Sequence, residues 1–128
     1  MIVVDTSAIV AILRQEPEAD QFTDEMLASD QVLMSAPTYV ELSAVVDRGS
    51  ADTAAGNLDA LLEALGVEVV NFTAAQARIA RRGYATYGKG SGHAAGLNFG
   101  DCFAYALAVE TGAHLLFKGT DFTHTDAT

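Results

Sequence analysis

With 128 residues, half of them hydrophobic and only two prolines, the chain has enough apolar material for one compact core and little composition that favours disorder. Its formal net charge of −10 excludes a protein that retains nucleic acid by bulk electrostatics, which takes a basic surface. It leaves open a nuclease whose acids are cancelled by metal, and it suits a basic protein partner. The single Cys102 excludes an internal disulfide and fits a reducing cytoplasm. No apolar run approaches the length of a bilayer, and the N-terminus lacks the basic flank of a signal peptide, so no membrane association is expected.

The chain opens on Ile2–Val4, a predicted strand that ends at Asp5. Asp5 and Thr6 are both good helix starters, and a helix is predicted over Ser7–Arg14. A second helix, Glu18–Ala28, follows Pro17, and a strand is expected over Gln31–Met34. Next come helices over Pro37–Arg48, stopped by Gly49, and Asp52–Leu65, closed by Gly66. Val67–Val70 reads as a strand and Ala74–Gly88 as a helix capped by Thr73. Gly88–Gly96 reads as a flexible glycine-rich loop. The helix Phe99–Thr111 follows Asn98 and stops at Gly112, and His114–Phe117 is the last predicted strand. Disorder is confined to the last few residues, Thr123 to Thr128.

Strands alternating with helices imply βαβ units: an α/β three-layer sandwich, with a short, mostly parallel central sheet flanked by helices. The pattern is that of one domain over residues 1–128, without repeat or linker. Ligands of such sheets gather beyond the carboxyl ends of the strands, near a topological switch point.

Four acids stand out against this frame. Asp5 sits at a strand end, where it suits either a helix cap or a metal ligand. Asp121 follows the last strand, in a Gly-Thr-Asp sequence that an ordinary turn also explains. Asp101 lies three residues after Asn98, a capping-box position, yet its helical face carries Ala104, Tyr105 and Ala108, which points the acid into a cleft. Glu41 is mid-helix among apolar residues, with Arg48 two turns away, and needs a partner. Together the four form a candidate site for a hard, oxygen-seeking cation such as Mg²⁺ or Mn²⁺, with Thr6, Ser7 and Thr120 available to steady the carboxylates.

Other residues invite plainer readings. Arg78, Arg81, Arg82 and Lys89 form either a phosphate-steering patch or a solvated helix face. His93 and Lys89 belong to a surface loop, and His114 and His124 lack zinc-site spacing. Cys102 is expected in the core. Tyr84, Tyr87 and Phe99 offer stacking to unpaired bases, but packing is the expectation.

The opening Ile2-Val-Val-Asp-Thr-Ser-Ala8, the helix containing Glu41, Asn98-Phe-Gly-Asp-Cys102 and Leu115-Leu-Phe-Lys-Gly-Thr-Asp-Phe122 resemble the PIN-domain ribonucleases. More particularly, they resemble the VapC toxins of bacterial and archaeal toxin–antitoxin pairs, and the resemblance runs over essentially the whole chain. It implies a sheet of about five strands and a divalent-metal endoribonuclease, using Mg²⁺ with Mn²⁺ as a substitute, that cuts structured RNA such as tRNA or rRNA. It further implies 3′-hydroxyl and 5′-phosphate products, a homodimer, and a cognate antitoxin of a type II pair that covers a helical groove. The apolar helices 7–14 and 39–46 are candidates for that groove. The family's acidic quartet carries over onto Asp5, Glu41, Asp101 and Asp121, with Asp126 as the alternative fourth acid. The implied chemistry is that a divalent ion generates the nucleophile from water and screens the scissile phosphate.

Two other readings compete. An aspartyl phosphatase or receiver would use Asp5 as acceptor, but the usual second aspartate two residues on is Ser7 here. A catalytically silent dimeric interaction module would act only through its partner, and retention of all four acids weighs against it.

Overall fold

The computed structural model describes residues 1–48 and 52–127. Four strands, β1 (Ile2–Val4), β2 (Val32–Ser35), β3 (Val67–Val70) and β4 (His114–Leu116), alternate with six helices. These are α1 (Thr6–Leu13), α2 (Ala19–Ala28), α3 (Ala36–Arg48), α4 (Asp52–Ala64), α5 (Ala74–Tyr87) and α6 (Asp101–Thr111). Each lies within two residues of its predicted position. Gly49, expected to stop the third helix, lies outside the described residues.

The strands form one sheet in the order β3-β2-β1-β4, every pairing parallel. Among the described residues, four strands stand where about five were expected from the resemblance. Past β4, residues 118–127 form turns rather than a further edge strand.

β1 and β2 are buried on both faces, as the inner strands of a parallel sheet must be. Their side chains alternate between two cores. Ile2, Val4, Val32 and Met34 pack against α1–α4 through Ile9, Phe22, Met26, Leu42 and Leu62. Val3, Leu33 and Leu115 face the other way, onto Leu97, Ala104, Leu107 and Phe122. The period-2 alternation of short apolar runs thus feeds two helical layers, giving the expected sandwich.

α6 is the central helix of the second layer. Its alanines 104, 106 and 108 are fully buried and permit close approach to the sheet and to α5. At its end, Gly112 takes a left-handed φ of 69°, and its N–H donates to Ala108 O, as a glycine stop should. One expectation is corrected here. Thr123–Ala127 is not a loose tail, because Thr125 is buried and its hydroxyl donates to Phe122 O, while Tyr105 donates to Asp126 at 2.6 Å. The glycine-rich stretch is closed at its base, where Lys89 N donates to Leu97 O and Leu97 N to Tyr87 O. Among the described residues, no helix is long and apolar enough to cross a membrane.

Candidate active site

The order β3-β2-β1-β4 reverses direction at β1, so the switch point lies at the carboxyl ends of β1 and β4. Asp5 leaves β1 at that point, and its N–H still donates to Leu116 O at 3.0 Å. Beyond β4 the chain turns at Gly119 and brings Asp121 to the same end. α3 and α6 enter from the sides. A cleft of about 380 Å³ results, and Asp5, Glu41, Asp101 and Asp121 all line it, with Thr6, Ser7, Val10, Arg14, Val45, Asn98, Lys118 and Phe122.

Each acid is held by local structure. Asp5 does cap α1, as one reading of the sequence had it: its Oδ2 accepts from Ser7 N at 3.0 Å and from Ser7 Oγ at 2.6 Å. Its Oδ1 is buried and has no protein partner. Asp5 is 4% exposed, and burial raises its pKa, opposed by the Ser7 bonds and helped by repulsion from Glu41. The capping and ligand readings are therefore compatible, because the cap occupies only Oδ2 and leaves Oδ1 without a protein partner.

Asp101 forms the anticipated capping box with Asn98. Asn98 N donates to Asp101 Oδ2 and Asp101 N to Asn98 Oδ1, both at 3.0 Å. The regular helix starts at Asp101 rather than Phe99, because the preceding turn is tighter: Asp101 N bonds to Asn98 O and Cys102 N to Phe99 O. Burial pushes the Asp101 carboxyl up to about 7, with repulsion from Asp5 and a hydrogen bond to Asp121 adding to the rise against the Asn98 amide.

Glu41 is half-buried, and the partner it needs is the Thr6 hydroxyl, which donates to Oε1 at 2.6 Å. It makes no ion pair with Arg48 among the described residues. Asp126, the alternative fourth acid, is engaged by Tyr105 and lines a separate hollow with Ala108 and His114, so Asp121 alone of the two reaches the cleft.

Ser7 supports the site as expected, and also accepts from Lys118 N at 3.0 Å, tying the exit of β4 to the start of α1. Thr6 acts on Glu41, whereas Thr120 does not line the cleft. The cations of the cleft are Arg14 and Lys118, neither singled out from sequence. Lys118 Nζ is 2.5 Å from Glu16 and 3.5 Å from Glu18. Arg78, Arg81 and Arg82 are exposed on α5 and do not line the cleft; Lys89, also exposed, is likewise outside it. Cys102 is buried in the core, as anticipated, its thiol pushed up to about 11 by burial. Phe99 departs from the packing expectation. Its ring meets Tyr84 and Phe103 edge-on yet stays 69% exposed, beside an apolar groove of about 920 Å³ between α3 and α6.

The donor set fits a hard divalent cation: only carboxylates and hydroxyls, one buried carboxylate oxygen lacking a partner, and mutual repulsion that a cation would relieve. Among the described residues, no three Asp, Glu, His or Cys groups close into a preformed cage. The cleft therefore presents a row of carboxylates that a cation would draw together.

A parallel sheet with an acid-lined switch point is the architecture of the PIN domain, and that family matches residues 2–127; the chain belongs to it. Within the family it is a ribonuclease of the VapC type. It is 48% identical to Ribonuclease VapC42 of Mycobacterium tuberculosis over 124 residues, spanning 97% of this chain and 95% of that one. Its fold matches VapBC2 from Rickettsia felis bound to a DNA fragment from their promoter, with a TM-score of 0.78 at 17% identity over 99% of this chain and 95% of that one. A toxin–antitoxin complex from Klebsiella pneumoniae matches with a TM-score of 0.76 at 16% identity, over 99% and 94% of the two chains.

Proposed function

We propose that the chain is the toxin of a type II toxin–antitoxin pair, a single PIN domain that hydrolyses RNA phosphodiesters with divalent metal held by Asp5, Glu41, Asp101 and Asp121. The observation that carries this reading is that these four acids, from four separate elements, line one cleft in which Asp5 Oδ1 is buried without a partner. Bound there, Mg²⁺, or Mn²⁺ as a substitute, would supply an activated water and screen the phosphate charge.

The protein's part is positioning. Ser7 fixes the rotamer of Asp5, Thr6 holds Glu41, and the Asn98 box fixes Asp101. Burial and the neighbouring acids hold the Asp101 carboxyl up at about 7 in the empty cleft, a penalty that a bound cation would relieve. Arg14 and Lys118 give the RNA backbone a cationic approach to an otherwise negative site.

RNA such as tRNA or rRNA is the substrate, and the protein works in the cytoplasm as a homodimer. A cognate antitoxin lies over the groove between α1 and α3, where Val10 and Val45 line the cleft beside Glu41. A basic antitoxin segment there would meet a chain of net charge −10.

Sequencing RNA ends after induction tests the activity. The wild type should produce discrete cuts, absent for Asp5→Asn, and purified protein should lose cleavage in excess EDTA and regain it with Mg²⁺ or Mn²⁺. Cleavage that persists in EDTA would sink the metal reading. Ser7→Ala probes the positioning: it should lower cleavage about 10- to 100-fold, as loss of support behind a metal ligand does. The same change should cost about 1 kcal/mol in stability through the orphaned Lys118 N–H. Unchanged cleavage by Ser7→Ala would remove the hydroxyl from the mechanism.

A further inference from the structure

Gly100 occupies the turn that leads into α6, between Phe99 and Asp101, and its role is not evident from the backbone. Its φ of −62° and ψ of −33° are ordinary right-handed helical values that any residue adopts. Nothing in the conformation calls for glycine; the surroundings do. A Cβ at Gly100 would overlap Glu41 Oε2 and stand 2.6 Å from Glu41 Cδ and 3.1 Å from Oε1. All three carboxylate atoms crowd this point, so turning the carboxylate about its last bond gives no relief.

The opposite side of the same carboxylate is held by Thr6, whose hydroxyl donates to Oε1 at 2.6 Å. Glu41 thus occupies a slot between the start of α1 and the start of α6. Both walls belong to segments that carry acids of the cleft, since Asp5 precedes Thr6 and Asp101 follows Gly100.

We propose that Gly100 is a positioning residue for Glu41: the space left by its absent side chain is what lets the Glu41 carboxylate stand beside Asp5 and Asp101. The inference rests on the reading of Glu41 as a metal ligand and specifies what aims it. Any side chain at position 100 pushes the carboxylate out of the slot and away from Thr6. The end of a glutamate side chain swings at little cost, so the fold absorbs the change while the metal site does not.

The test uses the full-length chain, with Mn²⁺ affinity measured by calorimetry and Tm measured in EDTA. Gly100→Ala should lower Mn²⁺ affinity about tenfold or more, the loss that follows when support behind a ligand is removed. Its Tm in EDTA should match or exceed that of the wild type, because alanine is favoured over glycine at helical angles. In a Glu41→Ala background, Gly100→Ala should change Mn²⁺ affinity no further. Wild-type affinity in Gly100→Ala, alongside weakened binding in Glu41→Ala, would overturn the inference and leave the nuclease reading standing. Wild-type affinity in Glu41→Ala would instead remove Glu41 from the metal site. A Gly100→Ala Tm well below wild type, or an affinity loss that persists in the Glu41→Ala background, would show that position 100 acts through packing and also overturn it.

Discussion

Asp101→Asn should melt higher than the wild type at pH 8 while cutting RNA at least on the order of 10²-fold more slowly, the loss typical when one charge-stabilising group is removed from an active site. The two effects share a cause. Asp101 is 7% exposed and faces Asp5 and Asp121, so the folded protein resists its ionisation and its pKa rises from 3.8 to about 7. Well below pH 3.8 the group is neutral in both the folded and the unfolded chain, and its burial carries no charge penalty. Between there and about pH 7 the unfolded chain has released a proton that the folded one keeps, so stability declines as pH rises, and above it the full penalty is present.

Asparagine removes the charge and can retain an oxygen to accept from Asn98 N. Each pKa unit is worth about 1.4 kcal/mol, and solvent screening at the cleft mouth reduces the gain to about 1–2 kcal/mol, several degrees in Tm. The advantage should vanish at pH 3.5. Mn²⁺ should raise the wild-type Tm and leave the variant's nearly unchanged. Thermal scans at pH 3.5 and 8, with and without Mn²⁺, check all of this; a variant that melts below wild type at pH 8 in EDTA would refute the electrostatic account.

Gly83→Val should be the most destabilising of the substitutions considered, by about 2–3 kcal/mol, or roughly 10 °C in Tm. A glycine within a helix ordinarily weakens it, and a larger residue is ordinarily an improvement. Here the sign reverses. A Cβ at Gly83 would overlap Tyr105 Cε1 and stand 2.7 Å from Cδ1 and 3.0 Å from Cζ. Tyr105 cannot swing aside, because its hydroxyl is bonded to Asp126 at 2.6 Å and its ring packs on Tyr87 at 5.9 Å. α5 and α6 must then separate, and α6 carries Asp101. Urea unfolding followed by circular dichroism measures the loss; wild-type stability would show that the α5–α6 contact yields.

The strands and helices were legible because the apolar runs are short, well punctuated and matched in period to their elements. Asp5, Glu41 and Asp101 were legible as candidates for one cleft, which they do line, because a carboxylate in apolar company needs a reason. What supplies that reason was hidden. The Thr6 hydroxyl that satisfies Glu41 is 35 residues away in sequence, and no local pattern pairs them. Asp121 and Asp126 could not be told apart within one polar tail; the fold separates them by sending Tyr105 to Asp126. Arg14 and Lys118 were passed over in favour of the denser arginines of α5, since charge density along a chain does not say which cations reach a cleft. Gly100 drew no reading of its own from sequence, because nothing local marks it; the crowding comes from Glu41, 59 positions earlier in the chain.

The division of labour at Asp5 has a consequence for how the enzyme assembles. One oxygen closes the first turn of α1 by accepting from the Ser7 amide, while the other, buried without a protein partner, is the one proposed to meet the metal. On that proposal, nucleation of the helix and orientation of the Asp5 carboxylate are a single event. Fraying at the start of α1 would disarm the cleft before the rest of the molecule loosened, so protection of the Ser7 amide against solvent exchange is a direct gauge of catalytic readiness.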